Sequence, residues 1–124
     1  MILLDSNIII YLRDPEWGEK IAGKLHDERL ATCNVVIAEV LGYKHLEAAD
    51  AQFFERLFAS MKNHSFNDMV VKRVIELRKT ETIQLPDAII AATAITNDLT
   101  LWTHNTEDFD NIPGLRFVDP LSAN

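Results

Sequence analysis

Short apolar runs that end in polar residues alternate along the chain with segments in which apolar residues recur every three or four positions. The short runs have the composition of strands buried on both faces, and the periodic segments are typical of amphipathic helices. Strands are predicted at Ile2–Leu4, Leu30–Cys33, 99–103 and 115–118. This alternation predicts an α/β fold with a mainly parallel central sheet, covered by helices on both faces.

Capping residues mark the predicted helix starts. Asp14 precedes Pro15, a pair typical of an N-cap and the first helical position. The other helices are predicted to begin at Asp5 to Asn7, Asn34, Asp50, Asn67 or Asp68, and Pro86, and residues 104–111 are predicted to form a polar loop. The helix that follows Asp50 carries a wide apolar stripe, which we interpret as core and not as a base-stacking platform: Phe53, Phe54, Leu57, Phe58 and Met61.

The composition indicates a compact protein. The 124 residues are 48% hydrophobic and 25% charged, with four glycines and four prolines, which excludes disordered and collagen-like classes. We expect one domain over residues 1–124. No apolar stretch reaches the length of a membrane span, and the lone Cys33 cannot form an internal disulfide, so we expect a cytoplasmic protein without a membrane partner.

The net charge of −7 argues against a protein that binds nucleic acid through a basic surface. Carboxylates that hold divalent cations also count as negative charges in the sequence, although a loaded site is locally far less negative. The negative net charge therefore does not exclude a metal-dependent nuclease.

Acidic residues from four remote segments are predicted to meet at one edge of the sheet. Ligands of open parallel sheets collect beyond the carboxyl ends of the strands. Asp5 follows the first strand, Asp108 and Asp110 follow the strand at 99–103, and Glu39 and Asp87 lie in early helical turns. Taken singly, each acid could be a helix cap or a surface residue, but Glu39 and Asp87 have no cation three or four positions away on the predicted helices.

Converging carboxylates repel one another by about 3 kcal/mol per pair at about 5 Å and an effective dielectric near 20. A hard divalent cation such as Mg²⁺ or Mn²⁺, with its preference for oxygen ligands, is the common way to relieve this repulsion. The four histidines have no zinc-binding spacing, and we expect each to be a surface or structural residue: His26, His45, His64 and His104.

Four sequence segments, in order and spanning the chain, carry a family resemblance. They read ILLDSN at 2–7, VIAEV at 36–40, PDAIIAATA at 86–94, and LWTHNTEDF at 101–109 with IPGL at 112–115. In these segments the chain resembles the PIN-domain family, and within it the VapC-type ribonuclease toxins of toxin–antitoxin pairs. The resemblance implies a PIN-like α/β/α sandwich.

The resemblance also implies roles for individual residues. It makes four acids both catalytic residues and ligands of Mg²⁺ or Mn²⁺: Asp5, Glu39, Asp87 and Asp108. Ser6, Thr103 and Asn105 fall on supporting positions, and Asp110 is a possible additional acid that leaves the identity of the fourth ligand open. Asn34 stands where the family commonly has Ser or Thr, and remains a competent cap. Arg13 and Lys44, with His45 beside it, are candidates for RNA binding, and a solvated surface role for them stays equally open.

The implied activity is a Mg²⁺- or Mn²⁺-dependent endoribonuclease acting as the toxin of a VapBC-type pair. The implied partners are an RNA substrate, a cognate VapB-like antitoxin whose tail enters the active-site groove, and a second copy in a homodimer, heterotetramer or hetero-octamer. A catalytically silent PIN-like module that binds a partner is the alternative. Receiver domains and haloacid-dehalogenase-like phosphatases fit poorly, because no second aspartate accompanies Asp5 in the segment Asp5-Ser6-Asn7.

Overall fold

The computed structural model describes residues 1–122. Its strands are β1 Ile2–Leu4, β2 Leu30–Cys33, β3 Lys62–His64, β4 Thr100–Trp102 and β5 Phe117–Val118. Its helices are α1 Ser6–Tyr11, α2 Gly18–Leu25, α3 Asn34–Leu41, α4 Ala48–Ser60, α5 Asp68–Thr80, α6 Leu85–Thr96 and α7 Thr106–Phe109.

The five strands form one parallel sheet in the order β3-β2-β1-β4-β5. The central strand β1 pairs with β2 on one side and with β4 on the other, with Leu4 opposite Trp102. The predicted α/β class with a parallel sheet is therefore confirmed. Because all strands run in the same direction, the residues that follow β1, β2 and β4 lie along one edge of the sheet.

The core lies around the central strands and helix α6. Every residue of β1 is buried, as the uninterrupted apolar run predicts. Helix α6 buries a series of small side chains, which allow its backbone to approach its neighbours closely, and it packs against α5 and α3. The aromatic side chains Phe54 and Phe58 of α4 are buried, and Phe53 packs against the core, so the interpretation of this stripe as core is confirmed.

The start of α2 differs from the prediction. Asp14 does cap a turn, because its carboxylate accepts the backbone N–H groups of Glu16 and Trp17 at 2.8 and 3.0 Å. The regular helix, however, begins only at Gly18, whose N–H donates to the Asp14 carbonyl oxygen at 2.9 Å. A Cβ atom at position 18 would lie 2.5 Å from the carbonyl oxygen of Leu12, so the close approach of these two turns requires glycine.

Two other predicted caps are wrong. Cys33 is the N-cap residue of α3, and Asn34 is its first helical residue, whose side-chain oxygen accepts a hydrogen bond from Asn63 at 2.8 Å. Helix α4 begins at Ala48, so Asp50 lies in its first turn and is not its cap. In both cases the side chain predicted to cap the helix instead accepts a hydrogen bond from a side chain far away in the sequence: Asn34 from Asn63, and Asp50 from Arg13.

Further differences concern short elements. Strand β3 was not predicted, because its residues are polar and it lies at the edge of the sheet. The polar loop predicted for residues 104–111 contains the single-turn helix α7. Strands β4 and β5 are shorter than predicted.

Of the two residues predicted as the cap of α5, Asn67 is the N-cap, since its side chain accepts the N–H of Val70, and Asp68 is the first helical residue. Within the part of the chain that the structure describes, no helix is long and apolar enough to cross a membrane.

Candidate metal centre

Asp5 is held firmly at the end of β1. It is the N-cap residue of α1 and only 3% exposed. One carboxylate oxygen accepts the N–H of Ser6 at 2.8 Å, and the other accepts the hydroxyl of Thr103 at 2.8 Å and the side-chain amide of Asn7 at 3.2 Å. Because these donors come from both α1 and the end of β4, they fix the orientation of the carboxylate at the junction of the two central strands.

Burial raises the pKa of Asp5 above its usual range, and the negative charge of Asp108 raises it further. The hydrogen bonds from Thr103, Ser6 and Asn7 act in the opposite direction, because they stabilise the ionised form. Asp5 is therefore a buried acid whose ionised form is stabilised by the three hydrogen-bond donors around it.

Glu39 projects from α3 toward the same carboxylate. The residue as a whole is exposed, yet partial desolvation of its side chain raises the pKa of Glu39, and the charge of Asp5 raises it further. A hydrogen bond from the side chain of Ser6 opposes this rise. Ser6 thus contacts both acids, through its N–H to Asp5 and its side chain to Glu39.

Asp87 is the most strongly perturbed of the acids. It lies partly buried in the first turn of α6, where the helix dipole favours a negative charge. Desolvation raises the pKa of Asp87 from 3.8 to about 6, with further contributions from Asp108, Asp5 and Glu39 in that order. Three carboxylates from three other segments thus act on Asp87, and its charge is disfavoured despite the helix N-terminus.

The two aspartates near α7 differ in their electrostatic contact with this cluster. Asp108 is exposed on α7, and its charge raises the pKa of both Asp5 and Asp87. Asp110, at the C-cap of α7, is not among the charges that raise the pKa of Asp5, Glu39 or Asp87. Asp108 is therefore electrostatically close to Asp5 and Asp87, and Asp110 is not. The sequence alone left open which of the two aspartates belongs to the cluster.

The supporting residues form a relay of hydrogen bonds toward Asp5. The hydroxyl of Thr103, which donates to Asp5, accepts the N–H of Asn105 at 3.0 Å. Asn105 is the N-cap residue of α7, and its carbonyl oxygen accepts the N–H of Asp108 at 3.1 Å. This relay links the position of α7, and hence of Asp108, to the buried carboxylate.

The structure also brings in residues that the sequence did not single out. Asn7 donates to Asp5, and its side-chain oxygen accepts the N–H of His104 at 3.1 Å. The ring nitrogen Nδ1 of His104 lies 3.2 and 3.1 Å from the two carboxylate oxygens of Asp119. Asn7 stands two residues after an N-cap aspartate, which is a weak local signal, whereas no local signal indicates the pair of His104 and Asp119.

The candidate RNA-binding residues lie in a different environment. Arg13 donates to Asp50 at 2.8 Å, and its guanidinium lies 4.8 Å from the ring centroid of Phe53. Arg13 and His45 line a cleft of about 280 Å³ between α1 and α4, whereas Lys44 is exposed. Arg13 is thus already engaged with an acid of α4, and neither Arg13 nor Lys44 is paired with the four acids.

The four acids carry no compensating positive charge from the described residues. None of Asp5, Glu39, Asp87 and Asp108 takes part in an ion pair within residues 1–122. In the described conformation of the same residues, no group of three or more histidine, cysteine, aspartate or glutamate side chains forms a ready-made metal site. The donor chemistry, hard oxygen atoms with unbalanced negative charge, nevertheless fits a divalent cation such as Mg²⁺ or Mn²⁺.

The fold and the site together define a class: an α/β protein with a parallel sheet and electrostatically coupled carboxylates at the carboxyl edge of its central strands. The family model of the PIN domain matches residues 2–115. The chain therefore belongs to the PIN-domain family, as its sequence segments indicated. No curated protein matches the chain at a significant level.

Solved structures similar to this chain are toxin–antitoxin proteins. A toxin–antitoxin complex from Klebsiella pneumoniae contains a chain that is 30% identical, with a TM-score of 0.80 and coverage of 97% of this chain and 98% of that chain. A chain of VapBC-1 from nontypeable Haemophilus influenzae is 26% identical, with a TM-score of 0.81 and coverage of 98% and 100%. VapC20 of Mycobacterium tuberculosis, described as a sarcin-ricin loop cleaving toxin, shares the fold at 11% identity, with a TM-score of 0.69 and coverage of 90% and 97%.

Proposed function

We propose that this protein is a Mg²⁺- or Mn²⁺-dependent endoribonuclease and the toxin of a VapBC-type toxin–antitoxin pair, built as one PIN domain over residues 1–124. The observation that carries the proposal is the convergence of four acids from four segments without a basic partner among residues 1–122, where burial and, after it, the charges of Asp108, Asp5 and Glu39 raise the pKa of Asp87 to about 6. A structural role does not explain this arrangement, because the repulsion between the carboxylates destabilises the fold.

The proposed ligands of the cation are Asp5, Glu39, Asp87 and Asp108. When bound, the cation supplies positive charge against the phosphate and makes water a better nucleophile. Asp5 contributes a carboxylate that three donors hold, whereas Glu39 and Asp108 are exposed to solvent.

The supporting residues act on the ligands. The hydroxyl of Thr103 orients Asp5 and favours its ionised form, and Ser6 does so for Asp5 through its N–H and for Glu39 through its side chain. Asn105 positions Thr103 and begins the helix that carries Asp108. No side chain needs to act as a covalent nucleophile in this proposal, since water is the attacking group.

The similar structures support the choice of substrate and partner. The description of VapC20 names cleavage of the sarcin-ricin loop, that of the Klebsiella pneumoniae structure names a toxin–antitoxin complex, and that of the Haemophilus influenzae structure names VapBC-1. By analogy we propose an RNA substrate and a VapB-like antitoxin for this chain, and a homodimer as its assembly. The exposed Lys44 is the proposed basic contact for RNA, because Arg13 is paired with Asp50.

The test is cleavage of RNA by the purified protein in the presence of Mg²⁺ or Mn²⁺. We expect cleavage by the wild-type protein, no cleavage with a chelator, and a loss of at least about a hundredfold in Asp87→Asn, since the cation and its ligands stabilise the charge of the transition state. Sequencing of RNA ends after brief expression of wild type and Asp5→Asn identifies the cleaved RNA. If the folded wild-type protein, freed of its antitoxin, cleaves no RNA with either metal present, the nuclease proposal is wrong. A catalytically silent module that binds a partner would then be the better interpretation.

A further inference from the structure

His104 lies at the acidic edge of the sheet, although none of the ligand roles proposed above uses it. It directly follows Thr103, whose hydroxyl donates to Asp5, and its own N–H donates to Asn7, which also donates to Asp5. Two hydrogen bonds therefore separate the backbone of His104 from the buried carboxylate. This position is fixed by β4 and α1, the same elements that hold Asp5.

The ring of His104 is also held in place. Asp119, which follows β5, places both carboxylate oxygens within 3.2 Å of Nδ1, and one of these oxygens accepts the N–H of Leu121 at 2.9 Å. The ring of Tyr11 meets the imidazole edge to face, with the centroids 5.9 Å apart and an interplanar angle of 76°. Contacts from Asp119, after β5, and from Tyr11 of α1 thus restrict the rotation of a side chain that is 44% exposed.

The contact with Asp119 determines which ring nitrogen carries the proton. A carboxylate only accepts hydrogen bonds, so Nδ1 must be the donor, and in the neutral imidazole this leaves Nε2 as an acceptor. Within residues 1–122, Nε2 of His104 has no hydrogen-bond partner. The fold thereby holds an available acceptor nitrogen beside the acidic cluster.

We propose that Nε2 of His104 accepts a hydrogen bond from a ribose 2′-hydroxyl of the substrate and so makes the protein select RNA over DNA, with Asp119 as the residue that positions the ring. The 2′-hydroxyl is the group that distinguishes the two nucleic acids, and it is a hydrogen-bond donor that requires an acceptor. This inference rests on the proposed ribonuclease function, because it concerns the substrate of the same site.

The first test measures binding without cleavage. In an Asp87→Asn background, the affinities for a single-stranded RNA and for DNA of the same sequence are compared by fluorescence anisotropy at about pH 8. We expect the parent to prefer RNA by about three- to tenfold, the value of one hydrogen bond, and His104→Ala to lose this preference by weakening RNA binding alone. His104→Phe, which retains an aromatic ring against Tyr11, is the second variant.

The chain offers a matched control. His26 and Asp27 form another histidine–aspartate contact, with Nδ1 and the carboxylate oxygen 3.1 Å apart, but both side chains are exposed at the end of α2. His26→Ala should leave the RNA preference unchanged. Asp119→Asn, which can still accept from Nδ1, should retain part of the preference, and Asp119→Leu should abolish it.

The second test uses cleavage of RNA that carries single 2′-deoxy substitutions. We expect one substitution to slow the wild-type protein, and His104→Phe to be insensitive to the substitution at that same position. A parent without a preference for RNA, or a His104 variant that weakens RNA and DNA equally, overturns the inference. If the wild-type protein cleaves nothing but its preference for RNA in binding depends on His104, the inference stands and the proposed nuclease function fails.

Discussion

Replacement of Asp87 by asparagine should make the protein more stable while it removes cleavage. Asparagine has nearly the same shape as the protonated aspartic acid but cannot ionise. The rise in the pKa of Asp87 from 3.8 to about 6 corresponds to about 3 kcal/mol in favour of the neutral form, at about 1.4 kcal/mol per pKa unit. Because the side chain is partly exposed and solvent screens its charge, we expect Asp87→Asn to raise the free energy of unfolding by about 1 to 2 kcal/mol near pH 7.5.

The gain should depend on pH in a defined direction. Between the unfolded pKa of 3.8 and the folded pKa of about 6, the folded wild-type protein binds more protons than the unfolded chain, so this group lowers stability as pH rises. Below about pH 4 Asp87 is protonated in both states, and the variant should match the wild type. The difference between the two proteins should therefore appear between about pH 4 and pH 6 and stay constant above that range.

The assay is urea unfolding of both proteins at several pH values in the presence of a chelator. Asp68→Asn is the matched control, because Asp68 also lies in the first turn of a helix, α5, but is exposed. Its replacement should lower stability by about 0.3 to 1 kcal/mol through the loss of a favourable helix-dipole contact. Destabilisation by Asp87→Asn, or a gain that is equal at pH 4 and pH 7.5, would refute the argument that neighbouring acids and burial disfavour the charge.

Three further outcomes are expected. Thr103→Val removes a buried donor from Asp5, so it should raise the pKa of Asp5 further, cost about 1 to 3 kcal/mol in urea unfolding and slow RNA cleavage at least about tenfold. Asp108→Asn should abolish cleavage in the same RNA assay, whereas Asp110→Asn should remain active; equal losses would contradict the assignment. Arg13→Ala should cost about 0.5 to 1 kcal/mol of stability with little change in cleavage, because its contacts with Asp50 and Phe53 are partly exposed.

The features that the sequence predicted depend on local signals. The buried strand β1 followed directly by Asp5 is visible in four residues, and the small-residue helix α6, which begins at Leu85, carries Pro86 and Asp87 in its first turn. Parallel strands bring such positions to the same edge, so the neighbourhood of the acids follows from topology once the alternation of strands and helices is recognised.

The features that the sequence did not predict depend on contacts between remote segments. The pair of His104 and Asp119 forms because β4 and β5 are neighbours in the sheet. The hydrogen bond from Arg13 to Asp50 joins positions that are 37 residues apart in the sequence. Strand β3 has no apolar pattern, because it is an exposed edge strand that β2 recruits through backbone hydrogen bonds. The distinction between Asp108 and Asp110 likewise required the position of α7 relative to Asp5.

The most direct measurement of the proposed metal centre is anomalous diffraction from crystals of the protein with Mn²⁺. The account predicts an anomalous peak within about 2.3 Å of a carboxylate oxygen of Asp5, with at least one further ligand from Glu39, Asp87 or Asp108, and no such peak in Asp87→Asn at the same Mn²⁺ concentration. Wild-type crystals that bind Mn²⁺ elsewhere, or that show no peak at these carboxylates, would contradict it.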